Sequence, residues 1–324
     1  MDMRLNADQR ALVEAAEQMT ADLREAPRQG LFTAYSVELQ RRIANAEFAS
    51  IQLQEGYGPL EAALVVETLG RVPALAEASA SLVVAPAVLG ETVEGPISLV
   101  ETWRRPARFL SVARHAFIQD GDAAYLIAVD PDKVQTAPAI LAYPYGRFIE
   151  APDFAGARRL DQAQTQALKQ WSQVAMALDA AAAMASAVEF TAEYVKQRRQ
   201  FNQPIGAFQA VQHRIAKAAV HAEGARFLAL EAAWKGDALT ASLSATYVLR
   251  FLGEVIEDLH QFNGALGITL EHPLHYWTYR LVGLQSELGG LSTQSRTAAD
   301  LVWPDDSQPI PANERATAYS ALGW

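Results

Sequence analysis

The sequence predicts a mainly α-helical protein with a small β segment in its middle. Three observations carry this. Apolar residues recur at helical spacing from Asn6 to about Leu89 and again from Gln162 to Arg296. Between Pro96 and about Leu160 that period gives way to short apolar runs split by turn residues. Alanine fills many contact positions of the later runs, which lets helix axes approach closely, as in a four-helix bundle. The expected division is an N-terminal helical domain over residues 1–95, a reduced β domain over 96–160 and a C-terminal helical bundle over 161–324.

Taken in order, Asn6 is placed to cap a helix that opens at Ala7-Asp8-Gln9-Arg10. A second helix is expected from Val37 to Phe48, and a third from Leu60 to Gly70 after the turn Gln54-Glu55-Gly56-Tyr57-Gly58-Pro59. Strand-like runs follow at Ile97–Val100, Phe109–Val112, His115–Ile118 and Ala124–Val129, with Asp120-Gly121 as a hairpin turn. One long helix should place Trp171, Val174, Leu178, Ala181, Ala185, Val188, Ala192 and Val195 on an inner face. A second should do so with Phe208, Val211, Ile215, Ala218, Ala222, Ala225 and Ala229. A third follows Asp237, with Ala245, Val248, Leu252, Val255, Leu259 and Phe262 inward; from Trp303-Pro304 the chain is expected to leave the bundle.

Composition narrows the chemistry. With 324 residues and 50% hydrophobic content, the chain can bury substantial cores. There is no cysteine, which excludes disulfides, thiolate catalysis and Cys-ligated metals. A net charge of -10 and a pI near 5.2 argue against broad nucleic-acid binding. Of the six histidines only His272 and His275 stand close together, and that pair reads as structural rather than metal-binding. No amino-terminal run looks like a signal peptide, and no stretch reads as apolar enough to span a bilayer. A soluble, cytoplasmic protein is therefore expected.

The stretch from Tyr194 to His213 is the most informative. Pro204 fixes a backbone angle and Gly206 permits one that other residues resist, so two helices should meet at a rigid corner. Arg198 and Arg199 precede the corner and Gln209 follows it. Chemistry alone leaves two readings: a planar cation and an amide offered to a phosphate, or a solvated basic patch offsetting a helix dipole.

The words at this corner resemble the signature R-x-x-F-G-x-P-I-G-x-F-Q-x-x-Q-H of the acyl-CoA dehydrogenase family. Arg198, Phe201, Pro204, Ile205, Gly206, Phe208, Gln209, Gln212 and His213 fall on it, and Asn202 replaces the first glycine, a residue that also accepts left-handed geometry. A second stretch, Gln261-Phe262-Asn263-Gly264-Ala265-Leu266-Gly267, resembles the family's Q-x-x-G-G-x-G turn, with Ala265 in place of the second glycine. The run from Glu55 to Arg71, with its Leu69-Gly70-Arg71 ending, resembles the family's amino-terminal helical domain more weakly.

The resemblance implies an acyl-CoA dehydrogenase-like fold and FAD as cofactor. In this family the two signatures hold the pyrophosphate and adenosine part of a flavin seated mainly in a neighbouring subunit. Arg198, Phe201, Gln209, Gln261, Gly264 and Ala265 are thereby implicated in cofactor binding.

The other half of a family site reads as eroded. The family's T-E-P-x-x-G-S-D loop corresponds here to Val100-Glu101-Thr102-Trp103-Arg104-Arg105-Pro106, and its W-I-T strand to Phe117-Ile118-Gln119. Dehydrogenation needs a carboxylate to remove the α proton of the thioester. The family's two positions for that base fall on Leu288 and Ser172, and neither is acidic. Glu287, one step from the first, is the remaining catalytic candidate, although one residue along a helix turns a side chain by about 100°. Glu101 reads as a surface residue or a vestige.

A shortened β domain, a lost ring loop and missing bases resemble the non-catalytic subunit of heteromeric (α2β2) acyl-CoA dehydrogenases of bacterial sterol and bile-acid side-chain degradation. The resemblance implies a catalytic sister subunit as partner and an acyl-CoA thioester as substrate of the complex. Two alternatives stand beside it: a self-sufficient homomeric dehydrogenase using Glu287 or Glu101, and a flavin-free assembly module.

Overall fold

A computed structural model describes residues 4–25 and 34–303. The N-terminal part is helical. α1 (Ala7–Met19) starts at a capping box in which Asn6 Oδ1 accepts from Gln9 N at 2.8 Å and Gln9 Oε1 accepts from Asn6 N at 3.0 Å. α2 (Val37–Asn45) is capped by Ser36 and stops short of the expected Phe48. Glu47 takes a left-handed φ of 54° and the chain tightens into a 3₁₀ segment, Phe48–Leu53. α3 (Pro59–Gly70) begins with proline at its first position and Glu61 holding Gly58 N at 2.9 Å. A π-helical turn, Ala80–Val84, runs straight into α4 (Ala85–Leu89).

The middle is a pair of small sheets. β1 (Ile97–Val100), β3 (His115–Asp120), β4 (Ala123–Ala128) and β7 (Arg158–Arg159) form one in the order β1-β3-β4-β7, with β1 and β3 parallel. β2 (Ala107–Arg108), β5 (Val134–Ala137) and β6 (Tyr145–Phe148) form the other in the order β2-β6-β5. The expected hairpin is present: Asp120 pairs with Ala123, and Gly121 takes φ 63° between them. The expected strand over Phe109–Val112 is not. Phe109 is left-handed at φ 62° and a 3₁₀ turn, Leu110–Val112, follows. That turn lies so close over β6 that a Cβ on Gly146 would stand 2.5 Å from Ser111 N. Apolar content there marks burial, not extension.

The C-terminal part is built on α5 (Gln162–Gln197), which joins through the two-residue strands β8 (Arg199–Gln200) and β9 (Gln203–Pro204) to α6 (Gln209–Lys235). α7 (Ala238–Gly267) follows, capped by Asp237, then α8 (His275–Leu284) and α9 (Gly290–Val302). α5, α6 and α7 pack on one another, α8 lies on α5 and α9 on α7. The seams are alanine-rich as predicted: Ala180 to Ala183, Ala225, Ala229 and Ala241 are fully buried. The inner positions read on α7 are all buried, whereas Phe208, Val211 and Ile215 are only half-buried, because α6 begins out at the corner. Pro304 onward, expected to leave the bundle, lies outside the described residues.

By length and composition α5 and α7 are apolar enough to cross a bilayer, which corrects the expectation that no stretch is. In α5, 83% of the most apolar stretch is buried inside the fold, as in a core helix, against 44% in α7.

Glu77 ties the helical part to the sheets. Its buried carboxylate accepts from Ala80 N at 2.7 Å and from Ile97 N at 3.0 Å, and Gln40 brackets its backbone with two further bonds.

Candidate functional site

The corner between α5 and α6 is a tight hairpin. Arg199 pairs with Pro204 and Gln200 with Gln203, leaving Phe201 and Asn202 as a two-residue loop. Their φ values are 51° and 63°, the two positive angles of a type I′ turn. Asn202 therefore does what the family's glycine would. Phe201 pays for its place in strain and is 85% exposed, its ring edge-on to Phe208 at 6.1 Å. Gly206 is needed for space, since a Cβ there would come within 3.1 Å of the Val195 carbonyl. Gln212 Nε2 donates to Gly206 O at 2.9 Å and secures the turn. Arg198 and Gln209 stand exposed on either side.

The end of α7 is the second group. Its helix breaks at Gly264, where φ 58° and ψ -146° form a combination open essentially to glycine alone. A Cβ there would meet nothing within 4 Å, so the requirement is conformational and the backbone faces open space. Gln261, Gly264 and Ala265 are exposed. Asn263, buried beneath them, donates to Thr191 Oγ1 of α5 at 2.9 Å. Arg214 of α6 bonds Asp258 Oδ1 at 2.9 Å and lies over the Phe262 ring at 5.0 Å. These links place Arg198, Phe201 and Gln209 at the same end of the bundle as Gln261, Gly264 and Ala265. An exposed guanidinium, two amides and an open glycine backbone suit the phosphates of a nucleotide presented from outside the chain.

A cavity of about 180 Å³ lies where the sheets meet the bundle, well below the roughly 300–1,000 Å³ of most small-molecule sites. Its lining draws on each eroded element: Val100, Glu101, Thr102, Arg105 and Pro106 of the loop, Phe117 and Gln119 of the strand, and both empty base positions, Ser172 and Leu288. Glu101 stands at its mouth and accepts from Leu288 N.

Arg108 and Glu287 meet inside it. Arg108, 8% exposed, directs Nε to the Glu287 carboxylate and Nη1 to Asp179 Oδ2 at 3.0 Å, with its guanidinium 4.6 Å from the centre of the Tyr143 ring. Ser79 Oγ donates to the same Asp179 oxygen at 3.1 Å. Burial pushes the Glu287 carboxyl up to about 7, against the pull of Arg108. Arg280, buried nearby, is held by Gly70 O at 3.1 Å and by Pro73 O, and burial brings it down to about 10. The sheets, α5 and the α8–α9 connection are thus clamped by one arginine.

Arg108 and Asp179 were missed in the sequence, yet Asp179 carries a signal. It is the only charge between Lys169 and Glu189 on a core helix, and a buried carboxylate needs a cationic partner.

Comparison with known proteins identifies the scaffold. Residues 162–296 match the family model "Acyl-CoA dehydrogenase, C-terminal domain". The chain carries this family's C-terminal domain over those residues. Acyl-CoA dehydrogenase IpdE2 of Mycobacterium tuberculosis is 26% identical over 263 residues, covering 75% of this chain and 78% of that relative. Two solved structures share the whole architecture. The ChsE4-ChsE5 complex of Mycobacterium tuberculosis has a chain that superposes with a TM-score of 0.74 at 20% identity, over 96% of this chain and 100% of that one. The Tcur3481-Tcur3483 steroid ACAD gives 0.78 at 19% identity, over 93% and 99%. Acyl-CoA dehydrogenases are flavin-dependent oxidoreductases.

Proposed function

We propose that this chain is the non-catalytic subunit of a heteromeric FAD-dependent acyl-CoA dehydrogenase, and that it grips the pyrophosphate and adenosine part of a flavin seated in a catalytic sister subunit. The observation that carries the reading is the Arg108–Glu287 ion pair, backed by Asp179, inside the cavity where a dehydrogenase needs an open carboxylate and a flavin ring. Freeing Glu287 to act as a base would leave Arg108 buried beside one carboxylate fewer. Breaking such pairs costs about 3–5 kcal/mol. The exposed groups at the corner and at the α7 break support the other half of the reading, because they face outward, where a partner's cofactor can be reached. An α2β2 assembly and a steroid side-chain thioester as substrate class fit the neighbours named as a two-component complex and a steroid ACAD.

FAD, when bound, supplies the electron acceptor for α,β-dehydrogenation. This chain's residues hold the cofactor's phosphate end and transfer no proton in that chemistry. The test is to purify the chain alone and co-expressed with a sister subunit, then measure acyl-CoA-dependent dye reduction and flavin per protein mass. The expected result is no turnover alone, and a heteromer with fewer flavins than subunits. Robust turnover by the isolated chain overturns the proposal.

A second reading has one observation in its favour: a carboxyl near 7 in a cavity suits a general base. In that case the isolated chain turns over and Glu287→Gln abolishes it.

A further inference from the structure

We infer that Asn263 and Thr191 are positioning residues that set the two halves of the flavin grip against each other; the inference rests on the reading of those halves as a flavin grip. Both residues are buried in the α5–α7 seam, Thr191 fully and Asn263 to 2% exposure. The two protons of Asn263 Nδ2 are divided: one goes to Leu259 O at 2.8 Å, one turn back on α7, and the other to Thr191 Oγ1 at 2.9 Å. Asn263 immediately precedes Gly264, where α7 loses helical geometry. Its amide therefore closes off the interrupted helix with one proton and fixes it to α5 with the other. Thr191 stands seven residues before Arg198, two turns or about 10 Å along the same helix. One buried bond thus connects the backbone break that exposes Gly264 to the helix that ends in Arg198.

Such a link does what apolar packing alone does not. Alanine and leucine seams hold helices together but tolerate small slides, whereas a hydrogen bond is directional. Past Gly264 the turn no longer has a continuous helical ladder to set its direction. On its other side α7 is held to α6 by Arg214, whose side chain is 48% exposed and whose ion pair with Asp258 is open to screening by salt. The Asn263–Thr191 bond is the buried anchor of the two. Leucine and valine are close in shape to asparagine and threonine, so exchanging both removes the direction and keeps most of the bulk.

The experiment uses the co-purified heteromer and compares four variants for FAD affinity, read from flavin fluorescence on release, and for thermal midpoint. Thr191→Val alone strands a buried donor and should lower both. The double exchange Thr191→Val with Asn263→Leu removes both polar partners at nearly constant shape, so the midpoint should return close to wild type. FAD affinity in the double variant should stay roughly three- to tenfold weaker, the loss of one neutral hydrogen bond's worth of placement. Thr191→Ser keeps the acceptor and should match wild type in both. If affinity recovers together with stability in the double variant, or never falls, the bond is structural only and the inference fails. Arg198→Ala separates this from the wider reading. If that variant keeps its FAD, the flavin grip itself is wrong, whereas loss there with none in the double variant removes only the positioning role.

Discussion

Arg108 and Glu287 form an ion pair in which the guanidinium Nε faces the carboxylate inside the junction of sheet and bundle, with Asp179 on the far side of the same arginine. One cation therefore answers two carboxylates from elements that are remote in sequence. Arg108→Met should leave both acids without their partner and destabilise the chain by about 3–5 kcal/mol in urea denaturation. Arg108→Met with Glu287→Leu should recover part of that, since one stranded charge is gone. A loss under about 1 kcal/mol in the single variant would show that the clamp is not the keystone of this junction.

The same pair predicts a pH dependence. Burial raises the Glu287 carboxyl from 4.5 to about 7, so between those values the folded chain binds more protons at this site than the unfolded chain. Stability is then highest near and below pH 4.5 and falls as pH rises through 7, by up to roughly 3 kcal/mol over the window. Glu287→Gln cannot titrate and should lack this component. Urea midpoints of both proteins between pH 5 and 8 give the difference, in which the other titrating groups cancel. A difference that does not change with pH would mean that Arg108 keeps Glu287 ionised throughout.

Much of this was legible in the chain, for local reasons. Asn6 and Asp237 announce helix starts because a side-chain acceptor must meet free amides there, and Gly121 announces its hairpin because the turn needs a positive φ. The corner was legible for the same reason: Pro204, Gly206 and Asn202 each impose a backbone angle wherever they occur. Phe109–Val112 misled because apolar content reports burial, and the left-handed turn at Phe109 is set by close contact with β6. Arg108 was out of reach because its partners lie 71 residues away on α5 and beyond α8. No local pattern encodes such a pairing.

Arg198 and Arg199 should separate in their effect on flavin. Arg198 is exposed at the end of α5, while Arg199 Nη2 is engaged with Asn202 O at 3.2 Å across its own hairpin. A guanidinium on a pyrophosphate contributes about 1.5–3 kcal/mol, so Arg198→Ala should weaken FAD binding by the heteromer roughly ten- to a hundredfold. The subunits should still co-purify. Arg199→Ala should cost little flavin. Equal losses from the two would reduce the corner to a general basic patch.

Gly264→Ala tests whether the open backbone at the α7 break is itself part of the grip. The φ of 58° and ψ of -146° place this residue where an L-side chain is strained by about 1–3 kcal/mol, although a Cβ would touch nothing within 4 Å. Two responses are open to the alanine variant. If α7 keeps its break, the chain loses that stability and a methyl group now projects from the backbone that should approach the phosphates. If the helix instead runs straight through, Gln261 and Ala265 turn away with it. Either response should deplete FAD from the heteromer by tenfold or more while the far end of the bundle is untouched. Ala265→Gly, which restores the second glycine of the family turn, should leave stability within about 1 kcal/mol and hold FAD at least as tightly as wild type. Flavin content after gel filtration, measured beside the thermal midpoint, reads both. A Gly264→Ala heteromer that keeps full flavin would take the α7 break out of the cofactor site and leave the corner at Arg198 to act alone.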